Sequence, residues 1–158
     1  MNASKVKSHA KINLALNVTG KSTKLHKIES IVSFIDLHDL ITLQPTKNPK
    51  HIIRFNGKFS KNIKKDNTVQ KLFYILEDQK LLNNKKFRVK IIKNIPQEAG
   101  LGGGSMNAAS ILNFLLKKRF IKLNRIKISE LSYWIGAHVI LGIDPASTVL
   151  RSNNILKK

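Results

Sequence analysis

The stretch Asn94-Ile-Pro-Gln-Glu-Ala-Gly-Leu-Gly-Gly-Gly-Ser-Met-Asn-Ala-Ala109 decides the reading of this 158-residue chain. Before it, Phe87 to Lys93 alternates between apolar and polar residues, the period of a strand with one buried face. After it, Ser105 to about Phe120 carries Ala108, Ile111, Leu112 and Leu115 at helical spacing. Strand, glycine-rich loop and helix therefore follow one another. Glycines at 100, 102, 103 and 104 let the backbone take positive φ and approach a ligand with no Cβ in the way. Ser105 and Asn107 place a hydroxyl and an amide at a helix start, where free N–H groups and the helix dipole favour anions. This is phosphate-binding chemistry. No Gly-Lys-Ser/Thr follows the glycines, so the loop is not the lysine-bearing P-loop, and Ser105 stands where a G-x-G-x-x-G dinucleotide loop needs its last glycine.

Outward from the loop, the amino-terminal half reads as sheet. Ala10, Ile12, Leu14, Leu16 and Val18 alternate with Lys11, Asn13, Ala15 and Asn17, which predicts a strand over 8–18 with Lys11 and Asn13 together on the face opposite the core. The polar stretch Thr19 to Lys27 predicts a loop, Ile28 to Ile35 a second apolar run, and Asp39 to Leu43 and His51 to Phe55 short strands parted by a turn at Pro45 to Lys50. Asn67 caps a predicted helix to about Leu82, ended by Asn83 and Asn84, through Val69, Leu72, Phe73, Ile75 and Leu76. Ser129 and Glu130 open a last helix to about Ala137, and Arg151 to Lys158 reads as a frayed end. No internal repeat or linker interrupts this order, so one mixed α/β domain is expected.

Composition narrows the setting. A chain of this length buries roughly 70% of its extended surface and needs no staples. There is no cysteine, hence no disulfide or thiolate metal site, and no metal-ligand residues are assigned. No run approaches the ~20 apolar residues of a membrane span, and a cytoplasmic protein is expected. The net charge of +20 is carried mostly by lysines spread along the chain without interleaved aromatics. Arginine would be favoured for base edges and bidentate phosphate contacts, so nucleic acid is not the expected partner.

The segment Pro-x-x-x-Gly-Leu-Gly-Gly-Gly-Ser followed by Asn-Ala-Ala resembles the second motif of the GHMP kinases, a family named for galactokinase, homoserine kinase, mevalonate kinase and phosphomevalonate kinase. Three other segments extend the similarity along nearly the whole chain in collinear order. His9-Ala-Lys-Ile-Asn-Leu14 resembles an amino-terminal Pro-Ala-Lys-hydrophobic-Asn-Leu, Phe34-Ile-Asp-Leu-His-Asp39 a Phe-Leu-Asp-x-x-Asp, and Ile135-Gly-Ala-His-Val139 a Leu-Gly-Ala-Asp-Val. The narrower resemblance is to the branch that uses ATP to phosphorylate the 2-hydroxyl of a cytidine-diphosphate-linked methylerythritol in non-mevalonate isoprenoid precursor synthesis. The fold it implies is α+β, two-layered, of the ribosomal protein S5 domain 2-like type, with ATP and Mg²⁺ as ligands. By the same resemblance, Lys11 is the active-site lysine, and Asn13 and His26 lie on the substrate, His26 at its cytidine end. Pro96, Gln97, Glu98, Ala99, Gly100, Leu101, Gly102, Gly103, Gly104, Ser105, Met106 and Asn107 wrap the ATP phosphates.

The pattern also breaks. His138 stands where the family has its catalytic aspartate, and Ile140 replaces the following proline. Leu25 replaces a tyrosine before His26, Glu98 puts an anion into the phosphate loop, and Met106 replaces a second serine. The resemblance implies that residues 1–158 are the amino-terminal ATP-binding domain with the carboxy-terminal domain absent, so a missing half or a homodimer would complete the enzyme. An inactive remnant or a basic nucleic-acid-binding module is the alternative.

Overall fold

Two long strands, β1 (Ser4–Lys21) and β2 (His26–Thr46), pair antiparallel and form the spine of the molecule. The computed structural model describes residues 3–21, 26–136, 138–143, 149–151 and 156–157. β2 unites two runs that the sequence pattern separates, because Asp36, His38 and Asp39 interrupt the apolar period without ending the strand. The interruption is a bulge: His9 pairs with His38 but Ala10 pairs with Ile35, leaving Asp36 and Leu37 as extra residues on β2.

After the turn at 47–51 the chain enters β3 (Ile52–Asn56), passes through α1 (Thr68–Asp78), and returns as β4 (Lys86–Ile92), parallel to β3 and antiparallel to β2. Phe87, Val89 and Ile91 of β4 are fully buried while Arg88 and Lys90 are exposed, so this part of the sheet has one dry face. Against that face pack Val69, Leu72, Phe73 and Leu76 of α1 and Ala108, Ile111, Leu112 and Leu115 of α2 (Gly103–Lys117). The expected two layers, helices on one sheet, are what forms. α3 (Arg125–Ile135) and the short α4 (Val139–Ile143) complete the helical layer. α4 approaches α2 so closely that a Cβ on Gly142 would lie 2.6 Å from that of Ala109, which only glycine allows.

Four expectations change. The apolar alternation from Ile12 to Val18 does not face the core: Leu14, Leu16 and Val18 are exposed, because the hairpin runs on beyond the helices that cover Ala10 and Val32. Lys11, expected opposite the core, is 5% exposed, since its backbone N–H donates to the carbonyl of Leu101 at 3.0 Å and the glycine-rich loop lies over it. α3 starts ahead of Ser129 because Asn124 caps it, its Oδ1 accepting from the backbone N–H of Lys127 at 2.8 Å. The tail, expected to fray, contributes β5 (Val149–Arg151) on β2 and β6 (Leu156–Lys157) on β5. Ala137, Asp144 and the loop residue Leu25 lie outside the described residues. Among those described, no helix is long and apolar enough to cross a membrane.

Asn67 caps α1 as its position in the sequence predicts, its Oδ1 accepting from Val69 and Gln70 N–H at 3.1 Å each. Asn67→Ala is therefore expected to lower stability by about 1 kcal/mol, and Asn67→Gly by only a few tenths, in urea denaturation. No loss in Asn67→Ala would show that the cap bonds do not contribute to stability.

Candidate functional site

The glycine-rich loop is shaped by one buried carboxylate. Asp39 of β2 is fully buried, and its Oδ1 accepts from the backbone N–H of Asn94 at 2.7 Å and of Ile95 at 2.9 Å. Its Oδ2 accepts from Asn107 Nδ2 at 3.0 Å and pairs with the ammonium of Lys93. A single side chain thus binds the end of β4, the start of the loop and the first turn of α2. A buried ion pair stands only when such further hydrogen bonds satisfy its remaining atoms.

Between these fixed ends the loop turns through left-handed backbone at Glu98, Gly100 and Gly102. Gly102 is the N-cap of α2 with φ +70°, and a Cβ there would also press to 3.0 Å from Cγ of Lys11. No side chain caps α2, in contrast to α1 and α3 with their asparagines. Met106 N–H bonds back to the Gly102 carbonyl at 2.9 Å, but the N–H groups of the preceding residues have no helical acceptor. They stand at the positive end of a fifteen-residue helix. Thr68 closes the other side, its Oγ1 donating to the Gly104 carbonyl at 2.7 Å, and Gln97 Nε2 donates to the carbonyls of Phe59 and Lys61.

The result is a cleft of about 500 Å³. Pro96, Gln97, Glu98, Ala99, Gly100, Leu101, Gly102, Gly103, Gly104, Ser105 and Asn107 all line it, with Lys64, Asp66, Thr68 and Lys93. Met106 is the exception in the run, buried against Val32, Ile140 and Leu141. Glu98 lies on the exposed outer turn of the loop. Asn107 is 1% exposed, and its Oδ1 has no hydrogen-bond partner among the described residues.

Lys11 lies beneath Gly102, and its Nζ donates to Oδ1 of Asn13 at 2.7 Å, so the two residues share a face as their spacing predicts. Burial lowers the Lys11 pKa from its ordinary value. The His138 pKa is lowered too, first by burial and then by the nearby charge of Lys11, which places the imidazole beside that lysine and favours its neutral form. Gly136 ends α3 with its Cβ position 3.8 Å from Oγ of Ser105, so the segment bearing His138 borders the loop. His26 begins β2, but its side chain lies outside those described. The sequence reading gave no role to Asp39, Lys93 or Thr68. Asp39 does close the quoted Phe34–Asp39 segment, and Lys93 ends the strand before the loop, the only signals that pointed to them.

An uncapped, glycine-built helix start on an α+β sheet, with a buried lysine beneath it, is an arrangement suited to anions. Residues 67–151 match the model of the GHMP kinases N terminal domain, and the chain belongs to that family. Over all 158 residues it is 59% identical to the 4-diphosphocytidyl-2-C-methyl-D-erythritol kinase of Pelagibacter ubique, covering 56% of that protein. It is 36% identical over 135 residues to the enzyme of that name from Alkaliphilus metalliredigens, covering 85% of this chain and 46% of the relative. The chain thus spans about half the length of the curated relatives it matches. Among solved structures, a 4-(cytidine 5'-diphospho)-2C-methyl-D-erythritol kinase superposes with TM-score 0.71 at 22% identity, over 94% of this chain and 51% of the other. The Methanococcus jannaschii mevalonate kinase does so with TM-score 0.64 at 17% identity, over 99% and 56%. The fold is the ribosomal protein S5 domain 2-like fold of GHMP kinase amino-terminal domains.

Two consequences are measurable. Asp39→Ala leaves Lys93 buried without its partner and is expected to cost about 3–5 kcal/mol in chemical denaturation, most of it recovered in Asp39→Ala/Lys93→Met. No recovery would assign the loss to the loop hydrogen bonds instead. The lowered His138 pKa also sets a pH dependence. Above the ordinary value of 6.5 both folded and unfolded states are neutral at this residue. As pH falls below it, the unfolded chain takes up a proton that the folded site resists, and stability declines until the folded pKa is passed. His138→Gln should flatten the melting-temperature profile below that pH, and superimposable profiles would contradict the assignment.

Proposed function

We propose that this chain is the nucleotide-phosphate-binding half of an ATP-dependent small-molecule kinase acting on the 2-hydroxyl of 4-diphosphocytidyl-2-C-methyl-D-erythritol. The observation that carries the reading is the Lys11 ammonium held beneath the uncapped glycine start of α2. The whole-chain likeness to relatives of that name supports the choice of substrate.

The chemistry follows from the groups present. Phosphoryl transfer asks a protein chiefly for positioning and for positive charge where negative charge gathers. The free N–H groups of Gly103, Gly104 and Ser105 receive phosphate oxygens, and the helix dipole adds to their pull. Lys11, oriented by Asn13, faces the transferred group and the attacking alcohol oxygen. His138, neutral at pH 7, takes the proton of that alcohol as its oxygen bonds to the γ-phosphorus and ADP departs. Its imidazole lacks the fixed negative charge of the aspartate it replaces, so Lys11 loses an ionic partner at this position. Asn13 and His26 meet the substrate. The oxygen donors bordering the cleft, Asp66, Glu98, Ser105 and the unpartnered Asn107 Oδ1, suit a hard cation. Mg²⁺ arriving with the nucleotide would neutralise phosphate charge there. The matched relatives hold about as much chain again, and this reading assigns residues 1–158 only the part of the site described above.

Millimolar Mg-ATP is expected to raise the melting temperature of the purified chain, by an amount equivalent to about 2.7 kcal/mol at one hundred times Kd. Ser105→Asp should abolish that shift without weakening the fold, because an anion at a helix start stabilises the helix but repels phosphate. In a turnover assay, His138→Ala should lower kcat ~10²- to 10⁴-fold, as expected of a general base. Absence of any ATP shift, with RNA binding that falls steeply with salt, would instead support the basic nucleic-acid module that the charge of +20 allows.

A further inference from the structure

The bulge in the β1–β2 pairing assembles a second polar group outside the lining of the glycine-rich cleft. His9 and His38 are direct cross-strand partners, with ring centroids 5.4 Å apart. The two extra residues of the bulge begin immediately beyond this pair, and the first of them is Asp36. Its Oδ1 stands 3.6 Å from Nδ1 of His38 and 4.0 Å from Nδ1 of His9. One donor atom from each of the three side chains lies within 4.8 Å of the other two.

We propose that His9, Asp36 and His38 bind a divalent first-row transition-metal ion of the Zn²⁺ class. Two imidazoles and one carboxylate form the borderline N/O donor set that such ions prefer over Mg²⁺ or Ca²⁺. Ligand atoms around a tetrahedral ion with bonds of ~2.1 Å are ~3.4 Å apart, so binding draws the three side chains, now within 4.8 Å of one another, closer together. Nδ1 of His9 lies 3.1 Å from the Ile35 carbonyl and Nδ1 of His38 2.5 Å from the Asp36 carbonyl, so the ion takes the place of both hydrogen bonds as each ring carries its proton on Nε2 instead. The side chain of Asp36 is 87% exposed, which gives the ion a direct path from solvent and leaves coordination positions for water. One cation competes: Lys7 Nζ is 3.9 Å from Asp36 Oδ1, and the incoming ion displaces it. No metal-ligand spacing is legible in residues 9, 36 and 38, since it is the bulge that brings them together.

The site is independent of the kinase reading and is tested on protein free of any histidine tag, by titration with Co²⁺ followed in the visible and with Zn²⁺ by calorimetry. One equivalent should bind, with affinity reduced at least tenfold in Asp36→Asn and again in His38→Gln, while His51→Gln is unchanged. Asp36→Asn is on the surface and should keep the wild-type melting temperature, so its loss of binding reports the site itself. Absence of binding to the wild type overturns the proposal. So does unchanged affinity in either ligand variant, which would reduce the cluster to an ion-paired surface group.

Discussion

Asp39 is the constraint from which the site follows. It is fully buried and bound to groups 54 to 68 residues away along the chain. Taking a carboxylate and an ammonium out of water is costly, and the pair with Lys93 alone would be poor compensation. Three further donors, two backbone N–H groups and one side-chain amide, make the arrangement tenable. Each of the three belongs to the strand end, loop or helix that forms the cleft, so satisfying one buried charge also sets the position of the glycines. Thr68 and Gln97 then hold the loop from the side of α1 and β3.

Much of this was legible in the residues. The alternation of Phe87 to Lys93, the glycine spacing and the helical period after Ser105 identify strand, loop and helix, because each is local and has its own physical cause. Asn67 announced its cap for the same reason. Lys11 was legible as a candidate through the resemblance of its segment, but its burial was not. Alternation says only that two faces differ, and here a loop from ninety residues on covers the face that looks polar. The run from Ile12 to Val18 misleads for the complementary reason: its period is that of a half-buried strand, yet no helix reaches far enough to bury it. Asp39 and Lys93 escaped notice because a buried pair has no signature in spacing. Only the long-range fold brings them together.

The neighbourhood of Lys11 and His138 illustrates how one substitution alters a site beyond its own chemistry. With a carboxylate at position 138, Lys11 would face an opposite charge that favours its protonated form. With imidazole there, the charge of Lys11 lowers the tendency of His138 to carry a proton, and burial pushes both groups the same way.

The exposed arm of the β1–β2 hairpin has a consequence for the protein as a colloid. Leu14, Leu16, Val18 and Ile31 give it an apolar outer surface on a long strand, a shape suited to sticking to other chains. The charge of +20 works against that contact, because copies repel before the arms meet. The range of this repulsion is about 10 Å at 0.1 M salt and ~3 Å at 1 M. Contact between copies is thus governed by salt, which screens the repulsion of the scattered lysines and so sets how closely two such hairpin arms approach.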